Sequence, residues 1–233
     1  MSIFSSISSS LIMEKRSLSE GEANSILSFV EASYPKTSLF EGFKRGVDIF
    51  SASLLLTAFS PLMVVLCISV RISSRGTAIF QQKRLTKDGQ LFDMYKFRTM
   101  VADAEVKSGP VYAADSDPRV TKFGRFLRIT RLDELPQLIN VLIGDMSLIG
   151  PRPERPEMAQ NLAQDLPSFH RRLEVKAGLS GLAQIQGGYA SDVESYRKKL
   201  ALDLLYIKNR GFLLDLKIAV RTILVIFTGF GAR

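Results

Sequence analysis

The chain has 233 residues, 46% of them hydrophobic, with 31 lysines and arginines against 23 aspartates and glutamates and a formal net charge of +8. That length holds one medium domain plus appendages. A mean hydropathy of +0.11 is high for a water-soluble chain and low for a polytopic membrane protein, so one membrane element in an otherwise water-facing chain is expected. The single cysteine, Cys67, excludes an internal disulfide, and with one histidine, His170, there is no zinc site. The positive charge favours anionic partners, and the apolar run described below directs that preference toward lipid and phosphate rather than nucleic acid.

Residues 1–40 are rich in serine and glutamate with weak periodicity. Met1 to Met13 lacks the basic start of a cleaved signal. Ser25 to Ala32 can form a short helix, and the whole segment is expected to be a mobile or surface-lying extension. Residues 41–75 hold the membrane element: Ile49 to Val70 is uncharged and apolar, broken near its middle by Ser60-Pro61. The run is long enough to span a bilayer. Pro61 removes a backbone donor at mid-depth, where Ser60 can help satisfy the freed group. Both flanks are basic, with Lys44 and Arg45 before and Arg71 and Arg75 after, so the positive-inside rule does not choose between the ends. Two geometries remain open: a kinked spanning helix, and a helix that enters, bends at Ser60-Pro61 and leaves by the same face.

Residues 76–210 form the globular part. Ala78 to Gln82 and Leu91 to Phe97 read as strands of a short hairpin turning at Lys87-Asp88-Gly89. Asp103 to Lys107 reads as a short helix, Asp115 to Thr121 as loop, and Lys122 to Ile129 as a helix. Asp133 to Ile143 is expected as the next helix, with Pro136 in its first turn and Gly144 ending it. Three prolines and a glycine make Ser147 to Pro156 irregular, and Ser191 to Lys208 reads as a polar helix carrying Tyr196 and Asp203. Residues 211–233 hold a closing apolar helix, Phe212 to Phe230. Asp215, Lys217 and Arg221 suit it to an interface better than to a span. The class expected is α+β, mainly helical.

Asp133 and Glu134 are adjacent carboxylates in a field of arginines: Arg119, Arg125, Arg128 and Arg131 before, Arg152 and Arg155 after. Such a pair can simply cap a helix. It can also present a nucleophile or a metal-binding carboxylate to a phosphate ester. A basic nucleic-acid-binding protein would need a recognition module or a single basic stripe, and neither is visible.

Six ordered motifs carry a resemblance. They are Lys44-Arg45-Gly46-Val47-Asp48, Tyr95-Lys96-Phe97-Arg98-Thr99-Met100, Asp117-Pro118-Arg119-Val120-Thr121, Leu132 to Asn140, Gly144 to Pro153, and Lys176-Ala177-Gly178-Leu179-Ser180-Gly181 through Gln184. Together they resemble the bacterial sugar transferases, monotopic phosphoglycosyl transferases that start glycan assembly on polyprenyl phosphate. The resemblance spans about residues 41 to 228 and implies a catalytic-core-only member. It implies a re-entrant helix-break-helix at Ser60-Pro61, both ends on the cytoplasmic face of the inner membrane, and interfacial amphipathic helices. It further implies transfer of a sugar 1-phosphate from a UDP-sugar to polyprenyl phosphate, releasing UMP, with Mg²⁺ and Asp133 as the covalent nucleophile. Glu134 would help hold the metal or orient Asp133. Arg128 would contact the polyprenyl phosphate, Arg152 a second phosphate, and Lys96 and Arg98 substrate phosphate. Arg119, Arg125 and Arg131 are expected to be structural or to meet lipid headgroups. A homodimer is compatible with the resemblance; nucleic acid is not an expected partner. Gly187-Gly188 departs from the Gly-Arg often found in the family, which bears on which sugar is moved.

Overall fold

The structure, a computed structural model, describes residues 18–30, 38–102, 104, 117–186 and 192–228. Its longest element is a helix, α2 (Ser38–Ser73), preceded by α1 (Glu20–Val30). At 1.5 Å per residue α2 is about 54 Å long, well beyond the roughly 30 Å hydrocarbon core of a bilayer. It is the one helix among the described residues long and apolar enough to cross a membrane, and 11% of its apolar window is buried in the protein. Helical conformation continues through Ser60 and Pro61, so the expected break is not an interruption of the helix. The reason is local: the Ser60 hydroxyl donates to the Thr57 carbonyl at 2.9 Å, the group that Pro61 has no N–H to meet.

Both ends of α2 are seated on the same domain. At the first end, Arg45 donates to the carbonyls of Val141 and Leu142 at 2.6 and 2.8 Å, and Asp48 accepts from the Leu148 amide at 3.1 Å. Ala52 is buried there with Phe92, Met94, Val141 and Met146. At the other end, Leu66 and Val70 are buried with Ala78, Phe97 and Leu127. Between them Phe59, Val64 and Val65 lie exposed.

The hairpin forms as expected and is longer: β1 (Ile79–Leu85) pairs antiparallel with β2 (Leu91–Phe97), setting Phe80 opposite Lys96 and Arg84 opposite Phe92. Asp88 and Gly89 turn it in the left-handed region, at φ 57° and 74°. Next come α3 (Lys122–Thr130), a 3₁₀ turn at Leu132–Glu134, and α4 (Gln137–Ile143), which Gly144 ends at φ 103°. The stretch from Ser147, expected to be irregular, begins inside a strand. β3 (Met146–Ile149) pairs in parallel with β4 (Ala177–Ser180), and the backbones approach so closely that a Cβ on Gly178 would collide with Gly150. α5 (Pro156–Asp165), a 3₁₀ segment at Pro167–Glu174 and α6 (Leu182–Gln186) complete this part.

The helix expected to be polar, α7 (Val193–Asn209), is instead the centre of the main core: Tyr196, Leu200, Leu204, Leu205 and Tyr206 are all buried. α1, through Ala23 and Ile26, and Leu18 just before it join that core, so part of the N-terminal extension contributes to it rather than lying free. α8 (Phe212–Thr228) buries Leu214 and Ile218 and exposes Leu213, Leu216, Val220, Ile223 and Leu224. Among the described residues the architecture is mostly helical, with one short antiparallel hairpin and one two-stranded parallel pair. Gly187-Gly188 and most of Asp103 to Lys107 lie outside the described residues.

Candidate active site

Three separate strands of chain converge on Glu134. The first is α3. Thr121 caps it by accepting from the Gly124 amide at 2.8 Å, and Gly124 lies against the Thr99 carbonyl, where any Cβ would collide. This contact brings Arg128 alongside, and its Nε donates to the Thr99 hydroxyl at 2.9 Å. Arg131 then adopts the left-handed conformation, φ 55°, and redirects the chain into the 3₁₀ turn. Such a conformation in a non-glycine residue costs about 1 kcal/mol or more and persists where surrounding structure enforces it.

Asp133 and Glu134 therefore sit in a separate turn, ahead of α4 rather than in its first turn as expected. α4 itself starts at Gln137 after Pro136, so the dyad is not stabilised chiefly by that helix's dipole. Side-chain cations do the work instead. Lys96, at the end of β2, lies 3.4 Å from Glu134 Oε1, and Arg152, after β3, donates to the same oxygen at 2.6 Å. Asn140 holds the frame. Wholly buried on α4, it accepts from the Tyr95 amide at 3.0 Å and donates to the Asp93 carbonyl at 2.8 Å. In effect it extends the edge of β2 onto α4, next to Lys96.

The two carboxyls respond differently to this environment. Burial by itself would raise Glu134, but the Arg152 guanidinium, then the Lys96 ammonium, overcome it and hold the group well below the usual carboxylate range. Asp133 is raised, first by burial and also by the Glu134 charge, with Lys96, Arg152 and Arg128 opposing. Lys96 is lowered by burial, against the pull of Glu134. Asp133 is 8% exposed, and its carboxylate accepts no hydrogen bond among the described residues. It is a partly desolvated carboxylate in a cationic surround.

Of the residues expected at the site, Asp133, Glu134, Lys96 and Arg152 come together, and Arg128 lies close enough to act on Asp133 electrostatically. Arg98 does not join them. It is buried, donates to the Ser74 carbonyl at 2.7 Å and lies against Gly76, fastening the exit from α2 to β1. Arg119 clamps Asp117 through its Nε and Nη2, holding that carboxyl down to about 2, in keeping with the structural role expected for it.

A second set of charges, of which only Asp203 was noted from sequence and without a role, also comes together. Behind the Pro151–Glu154 loop, Arg172 meets Asp203 at 2.7 Å, and Lys199 meets Glu154 at 2.5 Å. Arg172, Asp203 and Glu154 are all buried. Asp203 and Glu154 stood inside or beside recognised stretches; what sequence lacked was any sign that segments 152–154, 172 and 199–203 share one interior.

The sequence model of the bacterial sugar transferase family matches residues 39–229, and the chain belongs to that family. Among curated relatives it is 43% identical, over 84% of its length, to a UDP-N-acetylgalactosamine-undecaprenyl-phosphate N-acetylgalactosaminephosphotransferase of Aeromonas hydrophila, of which it covers 46%. It is 41% identical, over 80% of its length, to a UDP-glucose:undecaprenyl-phosphate glucose-1-phosphate transferase of Escherichia coli (strain K12), of which it covers 40%. It is 48% identical, over 59% of its length, to a putative undecaprenyl-phosphate N-acetylgalactosaminyl 1-phosphate transferase of Bacillus subtilis (strain 168), of which it covers 76%. The chain thus spans less than half the length of the first two.

Proposed function

We propose that the protein transfers a sugar 1-phosphate from a UDP-sugar to undecaprenyl phosphate, releasing UMP, at the cytoplasmic face of the inner membrane, and so begins assembly of a surface glycan. The family and the printed activities of the relatives support the reaction class. The observation that carries the residue assignment is Asp133: a desolvated carboxylate with no hydrogen bond among the described residues, beside a cation-locked Glu134.

In the proposed chemistry an Asp133 oxygen attacks the β-phosphorus of the UDP-sugar. The bond from that phosphorus to the bridging oxygen breaks, and UMP leaves with the electron pair. The phosphate oxygen of the polyprenyl phosphate then attacks the same phosphorus and returns Asp133 as a carboxylate. Ionised phosphate needs no general base, so Glu134 is assigned to orienting and to metal binding. Lys96, Arg152 and Arg128 lower the potential that two anionic substrates would otherwise meet. Asp133 and Glu134 fit Mg²⁺: they are hard oxygen donors, and among the described residues only one oxygen of Glu134 is engaged, so both would be able to hold the ion with water and substrate phosphate completing its shell. When bound, Mg²⁺ supplies charge neutralisation on the transferring and leaving phosphates.

The seating of α2 supports the proposed membrane placement. Its two ends are seated on one domain through Arg45, Asp48 and Ala52 on one side of Pro61 and Leu66 and Val70 on the other. A helix that crossed the bilayer would deliver those ends to opposite faces. A monotopic, re-entrant insertion with Ser60-Pro61 at its depth satisfies both docks, and the exposed apolar side of α8 then lies in the same interface.

The test uses purified protein, Mg²⁺ and a panel of UDP-sugars labelled on the β-phosphate. With undecaprenyl phosphate present, UMP release is expected for at least one sugar. With acceptor omitted, label is expected on Asp133. Absence of any adduct, together with kinetics that require both substrates bound at once, rejects the covalent route. Tags at the two termini appearing on opposite sides of the membrane reject the monotopic one.

A further inference from the structure

Arg152 faces two ways. Its guanidinium reaches forward to Glu134, while its backbone is held from behind. Four successive carbonyls of the Pro151-Arg152-Pro153-Glu154 loop are each taken by a donor. Pro151 accepts from the Gly178 amide at 2.8 Å, Arg152 from Arg172 Nη2 at 2.8 Å, Pro153 from Arg84 Nη1 at 3.2 Å and Glu154 from the Leu85 amide at 3.0 Å. Two of the four donors are side-chain guanidiniums.

Of these, Arg172 has the constrained geometry. It is 5% exposed, and its guanidinium is turned to protein groups on each side. Its Nε donates to Asp203 on α7 at 2.7 Å, its Nη1 lies 3.8 Å from Glu154, and its Nη2 bonds the Arg152 carbonyl. The planar fork therefore links the main core to the backbone of the one loop arginine that meets the dyad.

We infer that Arg172 is a positioning residue: by holding the Arg152 carbonyl, oriented in turn by Asp203, it sets where the Arg152 guanidinium stands over Glu134. This rests on the phosphotransfer function proposed above. A role confined to core stability would make Arg172 and Arg152 independent of each other in catalysis; a positioning role makes them one unit.

The experiment is a double-mutant cycle on UMP release by the full chain, with thermal unfolding measured in parallel. Arg172→Lys keeps a cation beside Asp203 and Glu154 but cannot reproduce the fork. It is expected to lower turnover per folded molecule by about tenfold to a hundredfold, the scale of an ångström-sized misplacement. Arg152→Lys is expected to fall at least as far, and the double variant no further than Arg152→Lys alone. If Arg172→Lys folds poorly, Asp203→Asn replaces it in the cycle; it keeps an acceptor for Arg172 Nε while removing the charge, and the same non-additivity is expected. Losses that multiply, or an Arg172→Lys enzyme with unchanged turnover, overturn the positioning role while leaving the phosphotransferase intact. A wild-type chain that releases UMP from no UDP-sugar, or an Arg152→Lys variant with full turnover, overturns the underlying site assignment instead.

Discussion

Asp133 and Asp203 are both nearly buried aspartates whose carboxyls burial pushes upward, yet they stand in opposite circumstances. Asp203 is bonded to Arg172 at 2.7 Å, with Lys199 also acting on it. Asp133 has cations nearby, Lys96 foremost, but none among the described residues bonds to it. A buried carboxylate is normally saturated by partners because leaving it bare costs several kcal/mol. The back of the loop obeys that rule and the front departs from it. Under the proposed function, the contrast separates a charge that holds the fold from one kept available for an incoming phosphate and metal.

The sharpest way to break the comparison is to neutralise each aspartate. Asp133→Asn is expected to abolish UMP release, a fall of about a thousandfold or more, because an amide cannot form the acyl phosphate. Its thermal stability should match or exceed wild type, since a desolvated charge has been removed. Retained turnover would end the covalent proposal. Asp203→Ala should do the reverse. Leaving Arg172 buried without its partner is expected to cost about 3–5 kcal/mol of stability, read as a lowered denaturant midpoint. Stability equal to wild type in that variant would mean that the back of the loop is not the saturated, structural side described here.

How far these two regions were legible in the sequence differs for a physical reason. Lys96 was marked by the family resemblance, whereas the dyad and Arg152 could be marked because adjacent carboxylates among arginines and a proline-flanked arginine are local patterns. The hairpin and Gly144 showed for the same reason. The β3–β4 pair did not: it is parallel, its strands lie about thirty positions apart, and Pro151 and Pro153 beside it suggested loop. α7 was misjudged because its charged residues cluster in its first half. Leu202, Leu204, Leu205 and Tyr206 are buried because α1, α6 and the Pro167–Glu174 segment cover it from several directions. Arg98 was assigned to substrate phosphate only through the Tyr95–Met100 motif of the family resemblance. Its side chain instead meets Ser74 and Gly76, a contact no spacing argument reaches. Likewise the turn at Arg131 depends on how α3 lies against Thr99, which only tertiary packing decides.

An intermediate effect should appear on acidification. Burial would raise the Glu154 carboxyl, but Lys199 and Arg172 hold it down to about 2. A depressed folded-state value means that the group adds stability above its unfolded value near 4.5, and that this stability is lost as pH falls toward 2. The contribution is on the order of 3 kcal/mol. In Glu154→Gln the loss of stability between about pH 5 and 2 should be correspondingly shallower. An acid profile superimposable on wild type would show that Glu154 is not held by its cations.

The smallest expected effect lies in α2. The Ser60 hydroxyl meets the Thr57 carbonyl that Pro61 leaves without a donor. In Ser60→Ala that carbonyl loses its only local replacement, in a segment where water is scarce. A single hydrogen bond contributes about 1 kcal/mol, so a modest loss of stability in lipid is expected. Pro61→Ala should act oppositely on the same bond, because the restored N–H can reach Thr57 directly and make Ser60 redundant. The double variant Ser60→Ala, Pro61→Ala should therefore recover the loss. If Ser60→Ala is equally costly with and without Pro61, the hydroxyl serves something other than the carbonyl freed by proline. The helix would then be continuous through residue 61 for a reason other than this compensation.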